Sequence, residues 1–146
     1  MRILEFSDWL LLSNTELTEA YSEEELENHC NCPWCRNFYQ TVDVYYPDLR
    51  YFLSRFGLKL EAPESLLPIT KDLYQASYVV EGRIIRKGTE PIFVNDLPIM
   101  PEQEPEPESF ILNIGLMKLP WVLDEDQDSV SPPVGVLEYF IELNRS

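Results

Sequence analysis

The clearest period along the chain is helical, and it begins at Pro33. Apolar residues recur at Cys35, Phe38, Tyr39 and Val42, while Arg36, Asn37, Gln40 and Asp43 take the opposite side. That i, i+3, i+4, i+7 stripe predicts an amphipathic helix over about 33–43. A proline in the first turn suits it, because the missing N–H would be unpaired there anyway. A second stripe, Leu49, Phe52, Leu53 and Phe56, starts at Pro47 and stops before Gly57. Glycine is the residue that most readily takes the left-handed conformation of a helix C-cap, so the second helix is expected over about 47–56. Some three residues separate the two stripes, which predicts a packed helical pair.

Beyond Gly57 the period shortens to two. Leu58 and Leu60 lead into a stretch punctuated by Pro63 and Pro68. Tyr78, Val80, Gly82 and Ile84 then alternate with polar or smaller neighbours, which predicts a half-buried strand over about 75–87 that turns at Gly88. A short strand near 92–94 is expected to pair back onto it. Phe110, Leu112, Ile114 and Leu116 form the strongest alternation in the chain and are expected on one face of a strand ended by Leu119–Leu123. Between these strands, the prolines and glutamates of 101–108 offer nothing to bury. They predict an exposed, mobile acidic loop rather than a domain linker, since neither flank carries a complete core.

The two ends carry weaker patterns. Arg2–Phe6 reads as a short strand and Trp9–Leu12 as an apolar knot. Ser22 followed by Glu25 matches a capping box, which predicts a short helix from there to about His29. Leu137, Tyr139, Ile141 and Leu143 fit a strand face, whereas Glu138, Glu142 and Arg145 fit a helix face; strand is the preferred reading of 134–143. The expected architecture is α+β: a helical pair packed on a mainly antiparallel sheet, in a single domain spanning 1–146.

Charge narrows the function classes. With 26 acidic against 11 basic residues, the formal net charge is -15. Such a balance argues against nucleic acid or an anionic membrane as partner, and it suits a basic protein partner, cation binding or solubility alone. No run approaches the ~18 apolar residues of a membrane-spanning helix. Glu5 and Asp8 interrupt the N-terminal apolar run, so it does not read as a secretory signal, and a cytoplasmic location is expected.

The chemistry gathers in His29-Cys30-Asn31-Cys32-Pro33-Trp34-Cys35, which holds all three cysteines and the single histidine. In a reducing compartment, clustered cysteines are thiols or metal ligands rather than a disulfide framework. A C-x-x-C turn brings two thiolates to one tetrahedral ion, Cys30 can add a third, and His29 or a distant carboxylate would have to complete the set. No second C-x-x-C and no H-x-x-x-H occurs elsewhere, so the motif is half of a zinc site. Residue types alone therefore favour no resident cofactor, with zinc the ion the cluster would take if it takes one.

Two other readings stand beside the metal one. Cys32-Pro33-Trp34-Cys35 resembles the Cys-Pro-aromatic-Cys site of glutaredoxins, which implies a thiol–disulfide oxidoreductase acting through Cys32 and Cys35. Here, however, an acidic segment precedes the motif where an apolar strand would be required, and nearby glutamates oppose thiolate formation. The plainest reading is that the cysteines are core residues, since free cysteine is often buried and Cys35 already lies on an apolar stripe.

Taken together, Cys30, Cys32, Cys35, Asn37 and Phe38 in the pattern C-x-C-x-x-C-x-N-F, with the later run Pro120-Trp121-Val122-Leu123-Asp124-Glu125, resemble an uncharacterised bacterial family, one of the domains of unknown function. The resemblance implies a bacterial origin and carries no mechanism. Asp124, Asp126 and Asp128 have the spacing that opens a calcium loop, but Ser129 and Gly135 stand where glycine and a bidentate glutamate are needed. No phosphate-cradling glycine loop or nucleophile elbow is present. The function expected from the sequence is a non-catalytic interaction with a basic partner, with zinc binding and thiol redox chemistry as the alternatives.

Overall fold

The computed structural model describes residues 1–28, 30–103 and 108–123. The N-terminus forms a hairpin, β1 (Arg2–Phe6) and β2 (Trp9–Ser13), turned at Ser7 with φ 55°. Next come three helices: α1 (Thr15–Glu27), α2 (Pro33–Tyr45) and α3 (Pro47–Ser54). The remaining described strands are β3 (Ser65–Thr70), β4 (Leu73–Arg86), β5 (Ile92–Val94), β6 (Leu97–Gln103) and β7 (Ser109–Lys118). They join the hairpin in one open sheet of order β1-β2-β4-β7-β6-β5, and every described pairing is antiparallel. The long strand β4 organises it: β7 takes one of its edges, while β2 and β3 divide the other.

The expected α+β architecture is present. Phe38 and Val42 of α2, and Leu49, Phe52 and Leu53 of α3, share a buried cluster with Tyr74, Tyr78, Phe110 and Ile114 of the sheet. Aromatic contacts join the layers: the Phe38 and Tyr74 rings lie tilted 6.0 Å apart, and those of Phe56 and Phe110 meet edge-on at 6.3 Å. The two helices meet at Tyr46 alone, closer than expected. Gly57 takes φ +93°, and a Cβ there would stand 2.6 Å from the Thr15 carbonyl oxygen of α1, so both conformation and space require glycine. No helix among the described residues is long and apolar enough to cross a membrane.

Several sequence expectations need correction. The helix placed at Ser22 begins at Thr15, capped by Asn14, whose side chain accepts from the Leu17 N–H. It carries no apolar stripe, because its buried positions are Thr18 and Ser22. Thr18 Oγ1 accepts from the Glu81 N–H of β4, and Ser22 Oγ accepts from the Lys59 N–H, so hydrogen bonds seat this helix where burial of apolar surface normally would. The 92–94 strand pairs with β6 rather than with β4. That partner strand, like β3, went unread because prolines interrupt both.

The first residues of the Pro/Glu stretch, expected as a loop, are strand instead. Residues 101–103 belong to β6, and Pro101 is buried opposite Leu112; residues 104–107 lie outside the described residues. In β7 the alternation breaks after Ile114. Tyr74 pairs with Met117 but Ala76 with Ile114, so one extra residue bulges and Met117 is buried while Leu116 turns out. The aspartates at 124, 126 and 128 and the stretch 134–143 lie outside the described residues.

Candidate metal centre

The cluster forms where the chain enters α2. Cys32 is the N-cap, extended at φ -71° and ψ 164°, and Pro33 starts the helix. An N-cap side chain and the one three residues on face each other across the first turn, the relation that capping boxes use. Here those positions hold Cys32 and Cys35. Cys30, two residues before the cap, folds back so that the Cys32 N–H donates to its Sγ at 3.4 Å. All three sulfurs lie within 4.8 Å of one another.

Burial grades across the cluster: Cys30 is exposed, Cys32 half-buried and Cys35 buried. The hydrogen bond from the Cys32 backbone holds the Cys30 thiol below its ordinary value, with smaller help from the Cys32 and Cys35 side chains. Burial pushes the Cys35 thiol well above its own. The core reading therefore describes Cys35 and fails for Cys30. His29 lies outside the described residues, so its part as a ligand rests on its place in the sequence.

Tyr39 fixes the loop. It sits one helical turn beyond Cys35 on the same face, and its hydroxyl donates to the Cys30 carbonyl at 3.0 Å. Burial first, and the nearby Cys35 second, raise that hydroxyl above the usual tyrosine range.

A cleft of about 340 Å³ opens beside the sulfurs, and all three cysteines line it. Trp34, Pro63, Leu66 and Pro68 form apolar walls, and Glu25 of α1 and Glu64 stand on the same cleft. No described carboxylate joins the three sulfurs at ligand spacing. No family model, curated protein or solved structure matches the chain.

The two sequence motifs meet at this corner. Asn37 is fully buried and donates through Nδ2 to Tyr74 Oη at 3.2 Å and to the Pro120 carbonyl at 3.0 Å. Its Oδ1 accepts from the Val122 N–H at 2.8 Å. Trp121 packs edge-on to Trp34, their ring centres 5.0 Å apart. Asn37 thus ties the Pro120–Leu123 run to the helix that carries Cys35, which gives the N-F and P-W-V-L portions of the two motifs a shared structural role.

Chemically, three thiols in this arrangement can hold a metal ion. A tetrahedral zinc ion with Zn–S of about 2.3 Å needs sulfurs about 3.8 Å apart, within side-chain adjustment of the spacing here. Sequence reasoning found the thiols but missed Tyr39, Glu25 and Glu64. Tyr39 was legible as the i+4 neighbour of Cys35. The glutamates reach the cleft through tertiary packing and leave no local signal.

Proposed function

We propose that this protein binds zinc through Cys30, Cys32 and Cys35. The convergence of the three sulfurs within 4.8 Å carries the reading. The hydrogen bond from Tyr39 to the Cys30 carbonyl supports it by holding the loop over the helix. Soft thiolate ligands select zinc or copper(I) over magnesium, calcium and manganese. Bound metal would release the thiol protons and stabilise the corner, because an unfolded chain holds no such site. The redox alternative, which needs Cys35 as its second thiol, has less support, since Cys35 is buried and burial holds its thiol well above the ordinary value.

Elemental analysis of protein purified without chelator, under reducing conditions, tests this reading. One equivalent of zinc per chain is expected, and chelation should lower the melting temperature in a way that added zinc restores. A chain that neither carries metal nor gains thermal stability on zinc addition would sink it.

A second reading keeps the expected basic protein partner. It rests on the net charge of -15 and on Glu16, Glu19, Glu23, Glu24 and Glu27, which α1 leaves exposed. Charge complementarity of this kind speeds association and weakens with salt. A pull-down at low and high salt should retain a specific basic protein only at low salt; recovery of the same proteins by an α1 variant with those glutamates changed to glutamine would count against it.

A further inference from the structure

Given zinc at the three thiols, we infer that its fourth coordination position faces the cleft and takes an external ligand: a small thiol with a neutral or cationic tail. This rests on the metal reading of the site. Metal sites closed by four protein ligands are structural, whereas sites with three protein ligands keep a position for water or a substrate. Here three sulfurs gather within 4.8 Å, and no further cysteine, histidine or carboxylate joins them among the described residues, which do not include His29. Cys30, Cys32 and Cys35 all line the same cleft, so an ion held by them sits in its wall.

The cleft also defines the chemistry of its occupant. About 340 Å³ accommodates a small organic molecule, not a macromolecule. Trp34, Leu66 and Pro68 offer apolar surface to its carbon skeleton, while Glu25 and Glu64 put negative charge on the approach. An anionic tail is repelled and a cationic one attracted. Sulfur is the donor that suits an ion already bound by thiolates. On binding, the incoming thiol loses its proton to solvent and its sulfur displaces a water from the metal.

Cobalt(II) substituted for zinc makes the fourth position visible, because its d–d bands respond to a change of donor. The full chain, loaded with one equivalent of cobalt, is titrated with cysteamine and, separately, with 3-mercaptopropionate. Cysteamine should shift the bands and bind about tenfold more tightly, the size of one charge interaction at a partly solvated site. In the double variant Glu25→Gln, Glu64→Gln the ratio should fall towards one, with cobalt affinity unchanged. Bands that cysteamine does not move would mean that a protein donor already fills the position, overturning this inference while leaving the metal site intact. Loss of cobalt affinity in the double variant would overturn it too, by making a glutamate the fourth ligand. Equal affinity for the two thiols in the wild-type chain would overturn the charge selection, and that arm does not depend on the variant folding. Failure of the wild-type chain to bind cobalt at all would instead remove the metal reading beneath it.

Discussion

Tyr74 and Tyr78 lie on one face of β4 and carry their hydroxyls into the interior, where each finds a carbonyl: Trp34 O at 3.2 Å and Leu60 O at 2.6 Å. Around them Phe38, Phe56, Phe110 and Ile114 are fully buried. Cys30 and Cys32 are polarisable groups too, yet they sit where a short loop enters α2, fixed by a few hydrogen bonds and open to a cleft. The difference lies in what stabilises each region. The sheet centre is held by many weak contacts that leave no reactive atom accessible. The thiol corner gathers three sulfurs within 4.8 Å, from exposed Cys30 to buried Cys35, and on the proposed reading a bound ion would add to its stability. Stability and chemistry are thus separated along α2, whose Phe38 belongs to the first region and whose Cys35 belongs to the second.

The largest effect should come from the sheet centre. Phe110 is fully buried against Phe56. Phe110→Ala should cost about 3–5 kcal/mol, from lost burial plus the cavity left behind, read as a lower urea midpoint. Zinc stoichiometry at low temperature should not change. If the folded variant lost its metal, the two regions would have to be treated as one.

Asn37 joins them. Removing its side chain takes a buried partner from the Tyr74 hydroxyl and part-buried ones from the Val122 N–H and the Pro120 carbonyl. Asn37→Ala should cost about 2 kcal/mol, within the range for stranding buried polar groups. Because the Pro120–Leu123 run would loosen from Trp34, tryptophan emission should shift to the red in the native state. An unchanged spectrum with an unchanged urea midpoint would mean that the contact between the two motifs carries no weight.

How much of this the sequence disclosed follows the same division. α2, α3, β4 and β7 were legible because each buries an apolar face, and burial writes a period into the chain. α1 was misplaced because Thr18 and Ser22 seat it by hydrogen bonds, and polar positions leave no stripe. β3 and β6 contain prolines that ordinarily argue against a strand. Pro68 and Pro101 are nevertheless in register with Tyr74 and Leu112. At the site, the convergence of the three thiols follows from six residues turning into a helix. The cleft does not: Glu25 and Glu64 arrive from α1 and from the chain ahead of β3, and only the assembled fold brings them there.

The smallest effect on stability, and the sharpest test of the comparison, belongs to Tyr39. Its hydroxyl donates to the Cys30 carbonyl, an exposed acceptor that water can satisfy once the hydroxyl is gone. Tyr39→Phe keeps the ring and removes the hydroxyl's contacts with the Cys30 carbonyl and the Cys35 side chain, so metal-free protein should lose only about 0.5–1 kcal/mol. If the thiol corner is organised by outer contacts of this kind, zinc affinity should fall by about tenfold or more, since groups that orient metal ligands commonly matter at that level. Competition against a chromophoric zinc chelator measures the affinity, and urea denaturation of the chelated protein measures the stability. A large loss of stability without a loss of affinity would assign Tyr39 to the sheet-centre class of residue; the reverse pattern assigns it to the site.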